Sequence, residues 1–253
     1  MPLTVHQFPV LEDNYAFLIK DEASGKTACI DTPDAGAILA ELKMLGWKLD
    51  LILNTHWHPD HAGGNAEIQA ATGATSVGPS EVGRLVAVDR VVQGGDRVEL
   101  GETLFQVIES GGHTLGHIAY YDAAGHVAFV GDTLFALGCG RLFEGTAEQM
   151  WASLQRLAAL PDDTKVYCAH EYTASNARFA LSVDDDPALA ERARQIFAAR
   201  ERGEPTVPTT IGLEKATNPF LRAPRLAERV GAGGRSPAEA FGAVRAAKDG
   251  FKG

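Results

Sequence analysis

The first two thirds of the chain alternate short apolar runs with amphipathic stretches. Val5 to Val10, Tyr15 to Ile19 and Thr27 to Ile30 read as strands, rich in β-branched and aromatic residues and separated by turn formers such as Ser24-Gly25. Ala35 to Leu45 carries apolar residues at helical spacing, and Leu51 to Leu53 is an apolar run of strand length. A second series runs from Thr75 through Val98, then Leu104 to Ile108, Ile118 to Tyr121 and Val127 to Val130, with hairpin turns expected at Leu100-Gly101-Glu102 and Ala123-Ala124-Gly125. Strands with interspersed helices predict a layered α/β core, two sheets with helices outside.

From Thr146 the pattern changes. Thr146 with Gln149 has the form of a capping box and opens an apolar-periodic helix to about Leu160. After a strand at Lys165 to Cys168, helices are expected at Ser175 to Leu181, Pro187 to Arg202 and Ser236 to Lys248, the last with Ser236 as N-cap, Pro237 at the first position and Glu239 completing a second capping box. Glu204 to Pro219 reads as a polar, Pro-containing connector. A domain boundary is therefore expected near Glu171, giving an α/β domain over 1–170 and a helical domain over 171–253.

Composition narrows the class. With 253 residues, 45% of them apolar and 22% charged, the chain can build a large core, and disorder, collagen and coiled coil are excluded. No apolar run approaches the ~18–20 residues that cross a bilayer, and Met1 to Lys20 shows no basic leader and is interrupted by Glu12 and Asp13, so a cytoplasmic protein without a membrane partner is expected. The formal charge of −10, from 23 Lys+Arg against 33 Asp+Glu, argues against nucleic acid as a partner. Cys29, Cys139 and Cys168 form no CxxC pair and read as reduced, buried thiols.

The chemistry concentrates in Leu51 to Gly64, LILNTHWHPDHAGG, where an apolar strand runs into a loop bearing His56, His58, Asp60 and His61. In an extended backbone residues two apart point the same way, so His56 and His58 can converge on one ion, while Asp60 and His61, past Pro59, can face a second. Imidazole nitrogen and carboxylate oxygen suit zinc, iron or manganese. Gly63 and Gly64 allow a tight turn beneath them. His113, Asp132 and His170 follow strand candidates in the same way, and ligands collect at such carboxyl ends. Asp132 is the natural bridge, since a carboxylate can hold one metal with each oxygen. A solitary histidine is usually just solvated or hydrogen-bonded. His117 is thus either an orienter of a metal ligand or a buried hydrogen-bonding group, His126 is expected on the surface, and His6 has no evident partner.

These residues resemble the metallo-β-lactamase fold superfamily: His56-Trp57-His58-Pro59-Asp60-His61 is followed by His113, Asp132 and His170 in that order. Gly131-Asp132-Thr133-Leu134-Phe135 continuing to Gly138-Cys139-Gly140-Arg141, then His170-Glu171-Tyr172-Thr173 and Ala243-Val244-Arg245-Ala246-Ala247-Lys248-Asp249, resemble glyoxalase II, the hydroxyacylglutathione hydrolases. The resemblance spans nearly the whole chain and implies a four-layer αββα sandwich with a C-terminal helical domain. It implies a first metal on His56, His58 and His113, a second on Asp60, His61 and His170, and Asp132 with a water or hydroxide between them. Zinc is the expected metal at both positions, with iron and manganese as alternatives. Asp60 and Asp132 are the expected catalytic carboxylates, and the expected reaction is hydrolysis of S-D-lactoylglutathione to D-lactate and glutathione by a monomer.

An anionic glutathione moiety needs local positive charge on an acidic protein. Arg245 and Lys248, three apart on the last helix, share a face and can reach one carboxylate together, though such a pair is more often a solvated face. Arg141 could add a third cation and Tyr172 a hydroxyl, and the resemblance places glutathione contacts at these positions and at 143. Arg141 stands where many relatives carry Lys, and Phe143 where some carry Tyr, so a phenol hydrogen bond is absent there. A single-iron persulfide dioxygenase and a metal-dependent nuclease share the fold; the complete second set Asp60, His61 and His170 disfavours the former, and the acidic charge the latter.

Overall fold

The computed structural model describes residues 3–253. The chain divides into two compact units, one running to Ser110 and resuming over Thr114–Gly131, the other comprising Gly111–His113 and Asp132–Gly253.

The first unit holds β1 (Leu3–Val10), β2 (Asn14–Asp21), β3 (Thr27–Ile30), α1 (Ala35–Leu45), β4 (Leu51–Leu53), α2 (Pro59–Ala62), α3 (Asn65–Thr72), β5 (Thr75–Gly78), β6 (Arg90–Val91), β7 (Arg97–Leu100), β8 (Thr103–Glu109), β9 (Ile118–Asp122) and β10 (Val127–Gly131). β1 to β6 form one sheet in sequence order. Short turns make β1–β2–β3 antiparallel, whereas the helical crossovers α1 and α2–α3 make β3–β4–β5 parallel. α1 is delimited as its sequence predicts: the Asp34 side chain accepts the Ala37 N–H, and Gly46 closes it in the left-handed region at φ 68°. Its buried positions Ala35, Ile38 and Leu42 pack with Leu18, Cys29, Ile52 and Ile68. Truncating Ile38 to Ala would cost about 2–5 kcal/mol. β7 to β10 form an antiparallel meander. It faces the first sheet: the Phe17 and Phe129 rings lie 5.7 Å apart, and the Tyr120 hydroxyl donates to the Asn54 carbonyl at 2.9 Å. β8 alternates buried and exposed positions, whereas β9 and β10 are buried throughout.

Four expectations change here. The segment after His58, read as a loop, forms α2 and α3, with Pro59 at the first helical position. Gly63 and Gly64 have negative φ and are required by space instead: a Cβ would lie 2.4 Å from the Pro59 carbonyl oxygen at Gly63 and 2.8 Å from that of Thr32 at Gly64. His6 does have a partner, Glu41 Oε2 at 2.8 Å, which lies on α1 and so was out of reach of local pattern. His126 is half-buried rather than exposed, in the β9–β10 turn at φ 51°.

The second unit holds β11 (Leu134–Phe135), β12 (Gly138–Cys139), α4 (Ala147–Ala158), β13 (Lys165–Cys168), α5 (Thr173–Val183), α6 (Pro187–Glu201), β14 (Thr209–Thr210), α7 (Ile211–Thr217), α8 (Ala223–Leu226) and α9 (Pro237–Asp249). Both capping boxes form, Thr146 with Gln149 on α4 and Ser236 with Glu239 on α9. Leu189, Ala193 and Ile196 of α6 bury against Ala177 and Ala180 of α5, and Trp151 of α4 packs 6.1 Å from Phe241 of α9. The segment 204–219 is not a simple connector: it contains β14, paired with β13, and α7, capped by Thr210. The buried face of α7 is Ile211, Glu214 and Thr217, two of them polar, which hid its periodicity from a hydrophobic count. Among the described residues no helix is long and apolar enough to cross a membrane.

Candidate metal centre

The carboxyl ends of the parallel strands β3 and β4 carry the first group of donors. Asp31, just past β3, is buried and held at φ 56°. Its carboxylate accepts the Thr55 N–H at 2.7 Å, the Thr55 hydroxyl at 2.8 Å and His61 Nδ1 at 2.8 Å. Thr55 has one hydroxyl proton, and it is given to Asp31. The contact of Thr55 Oγ1 with His56 Nδ1 at 3.1 Å is therefore donated by the histidine. His56 and His61 thus both carry their proton on Nδ1 and present the Nε2 electron pair. His56 Nε2 lies 3.0 Å from His58 Nδ1, so these two converge as expected. His61 Nε2 lies 3.6 Å from Asp60 Oδ2, and Asn14 Nδ2 donates to the same Asp60 oxygen at 3.2 Å.

His117 is fully buried, bonded through Nδ1 to Ser110 Oγ at 2.9 Å and stacked on the His56 ring at 4.7 Å. Its Nδ1 contact is the interior hydrogen bond, and its ring lies against that of His56. Sequence reading missed Asn14, Asp31 and Thr55. Asp31 shows the same signal as the chosen residues, a carboxylate where the apolar run Ala28-Cys29-Ile30 gives way to a loop.

The second unit supplies His113, Asp132 and His170. His113 Nδ1 donates to the Arg141 carbonyl at 2.9 Å, which leaves its Nε2 electron pair 3.3 Å from Asp132 Oδ2. Two acceptors at that distance require a cation between them, a proton or a metal. The other oxygen, Oδ1, lies 3.4 Å from His170 Nε2. Asp132 is thus set between two imidazoles with one oxygen toward each. The His170 ring stacks on Tyr172 at 4.7 Å with 4° between planes and meets the edge of Phe135 at 5.9 Å.

The donors fit divalent cations: Nδ1 of His56, His61 and His113 is engaged in hydrogen bonds, which leaves each Nε2 for a metal, and oxygens of Asp60 and Asp132 lie 3.3–3.6 Å from imidazole nitrogens, the separation of two ligands that share an ion at about 2.0–2.2 Å. Four are in the first unit (His56, His58, Asp60, His61) and three in the second (His113, Asp132, His170).

The residues expected to bind substrate all lie in the second unit and differ in availability. Arg141 and Phe143 are exposed, the Phe143 ring 5.2 Å from that of His113, and Tyr172 is half-open. Arg245 is buried and engaged: Nη1 donates to the Cys139 carbonyl and Nη2 to Asp249, both at 2.9 Å, and the guanidinium lies over Phe220. Lys248 Nζ donates to Ser175 Oγ at 2.9 Å. Partial burial pushes the Lys248 ammonium below the usual lysine value, and Arg245, Arg141 and Arg178 push the same way, against Asp249. These cations thus share one field, to which sequence reading had not added Arg178. All three cysteines are buried, and burial raises their thiols, Cys139 to about 11 and Cys168 to about 12.

Residues 13–170 match the family model of the metallo-beta-lactamase superfamily, and residues 171–251 that of the hydroxyacylglutathione hydrolase C-terminus. A hydroxyacylglutathione hydrolase of Erythrobacter litoralis is 55% identical over 250 residues, covering 98% of this chain and 100% of the relative. One of Maricaulis maris is 54% identical over 253 residues, covering 98% and 99%. The crystal structure of TTHA1623 in a di-iron-bound form superposes with a TM-score of 0.62 at 26% identity, over 86% of this chain and 100% of that one. The fold is accordingly that of the superfamily, mixed sheets with helices and a C-terminal helical segment, and the chain belongs to the hydroxyacylglutathione hydrolase family of the metallo-beta-lactamase superfamily.

Proposed function

We propose that this chain hydrolyses S-D-lactoylglutathione and related 2-hydroxyacylglutathione thioesters to the hydroxy acid and glutathione, using two divalent cations, zinc foremost. Full-length relatives at about half identity bear that activity in their names. We assign His56, His58 and His113 to one cation, Asp60, His61 and His170 to the other, and Asp132 to both. Asp132 carries this reading: its two oxygens already point one each at His113 and His170, an imidazole of each proposed set. A bound cation pair would supply Lewis acidity, lowering the pKa of water toward ~7 and polarising a thioester carbonyl.

The chain's own residues do the rest. Asp31, Thr55 and the Arg141 carbonyl hold protons on the Nδ1 atoms of His61, His56 and His113, so that each Nε2 is available without a proton to lose. Asn14 orients Asp60. Arg141, Lys248 and the Tyr172 hydroxyl would bind the carboxylates and amides of glutathione, with Phe143 covering the thioester end beside His113. Arg245 would act mainly by its positive field, since Cys139 and Asp249 engage its Nη atoms. The boundary at 170/171, a cytoplasmic location and a monomeric state belong to the same proposal.

The test is release of D-lactate and free thiol from S-D-lactoylglutathione by the purified chain, before and after removal of metal with a chelator. Turnover that is lost on chelation and restored by zinc supports the reading; no turnover with added zinc, iron or manganese contradicts it.

A further inference from the structure

The hairpin β11–β12 follows Asp132 closely, and Leu134 to Cys139 are all buried. A buried turn cannot leave its amide groups to water and must find partners inside. It finds them on two helices, α7 with its C-cap residue Asn218, and α5. Leu137, held in the left-handed region at φ 55°, donates its N–H to Glu214 Oε2 at 2.9 Å. Asn218 Nδ2 donates to the Phe135 carbonyl at 3.1 Å and the Gly138 carbonyl at 2.9 Å, and to the same Glu214 oxygen at 2.9 Å. Asn176 Nδ2 donates to the Ala136 carbonyl at 3.1 Å. The grip is close enough that a Cβ at Gly138 would fall 2.3 Å from Asn176 Nδ2. Glu214 is fully buried, and its other oxygen is paired with Arg192 and accepts the Thr209 hydroxyl.

What the hairpin holds is the donor geometry. Phe135 packs edge-on against His170 and Tyr172. Gly140 N donates to the Thr133 carbonyl, and a Cβ at Gly140 would lie 2.0 Å from the Asp132 carbonyl oxygen and 3.1 Å from His113 Nδ1. Arg141, one residue on, supplies the carbonyl that fixes His113. We infer that Glu214 and Asn218, on and just after α7, are positioning residues that clamp the 134–139 hairpin and thereby keep Asp132, His113 and His170 in register for metal binding. The inference rests on the metal assignment proposed above.

The test uses the full chain loaded with zinc and measures zinc affinity by competition with a chromogenic chelator, alongside thermal unfolding and steady-state kinetics. Asn218→Ala and Glu214→Gln are expected to weaken zinc binding by about 10–100-fold, the range for partners that orient metal ligands, and to lower kcat more than they change KM. Asn176→Ala, which gives up one bond, is expected to show a smaller loss and serves if the others fail to fold. Thr217→Val is the control: it removes the bond from Arg192 Nη1 at 2.6 Å without touching the hairpin, and is expected to keep wild-type zinc affinity. The clamp is overturned if folded Asn218→Ala or Asn176→Ala binds zinc like the wild type, or if Thr217→Val weakens binding as much at equal thermal stability. A wild-type chain that binds no zinc would overturn the metal assignment itself, and the clamp with it.

Discussion

Asp31 and His61 are joined by a 2.8 Å contact between Oδ2 and Nδ1, and the same carboxylate holds the Thr55 backbone and hydroxyl. One buried carboxylate at the end of β3 therefore sets the tautomer of His61 directly and that of His56 through Thr55. Replacing Asp31 by Asn puts an NH2 in place of one oxygen: at Oδ2 it would turn a donor toward both the Thr55 hydroxyl and His61 Nδ1, and at Oδ1 toward the Thr55 N–H, so the present arrangement of protons cannot survive. The expected outcome is a loss of about 10–100-fold in metal affinity or kcat/KM, measured by chelator competition and thioester kinetics, with the fold retained by circular dichroism. Unchanged metal affinity would contradict the role.

Lys248 should lose its charge at a lower pH than an ordinary lysine at 10.5, because partial burial and the Arg245, Arg141 and Arg178 cations all disfavour the ammonium. Binding of the unreactive ligand S-methylglutathione, followed by calorimetry, is expected to weaken on the alkaline side before pH 10.5. Lys248→Arg should remove that alkaline limb, since guanidinium stays charged. Identical pH profiles for the two proteins would contradict a contact by Lys248.

Much of this was legible from the order of residues. The motif His56 to His61 concentrates donors so densely that no solvated-surface reading accounts for it, and the two capping boxes announce α4 and α9 because their donors and acceptors lie within four residues. α7 was not legible, because the side chains it buries, Glu214 and Thr217, are satisfied by Arg192 and Asn218, which lie outside the helix. The engagement of Arg245 was hidden for a like reason: its partner Cys139 is 106 positions away, so helical spacing could show a shared face with Lys248 but not that the guanidinium is occupied.

The thiols should be chemically inert. Burial raises all three above the usual cysteine value, so iodoacetamide at pH 8 is expected to leave the folded protein unlabelled by mass spectrometry, with labelling appearing only in denaturant. Labelling of the folded chain would contradict the structural role assigned to the cysteines.

Asp21 ties the β2–β3 turn to the β7–β8 turn. Hydrogen bonds from the Ser24 hydroxyl foremost, then from Glu102 N, Ser24 N and the Thr103 hydroxyl, outweigh the opposing effect of burial and hold its carboxyl at about 2. A folded pKa below the unfolded 3.8 means stability that is present above pH 3.8 and lost as pH falls through about 2. Asp21→Asn should therefore lower Tm at pH 7, and the difference from wild type should shrink between pH 4 and pH 2. A constant difference across that range would show that the ionised form contributes nothing.

The central claim is that Asp132 is shared by two cations whose remaining ligands are His56, His58 and His113, and Asp60, His61 and His170. It is tested most directly by metal stoichiometry of the purified, zinc-loaded chain compared with Asp132→Ala, each preparation also assayed on S-D-lactoylglutathione. The account predicts two ions per wild-type chain with thioester hydrolysis, and in the variant a fall below two ions with turnover nearly abolished. Two ions and undiminished turnover in Asp132→Ala would contradict it.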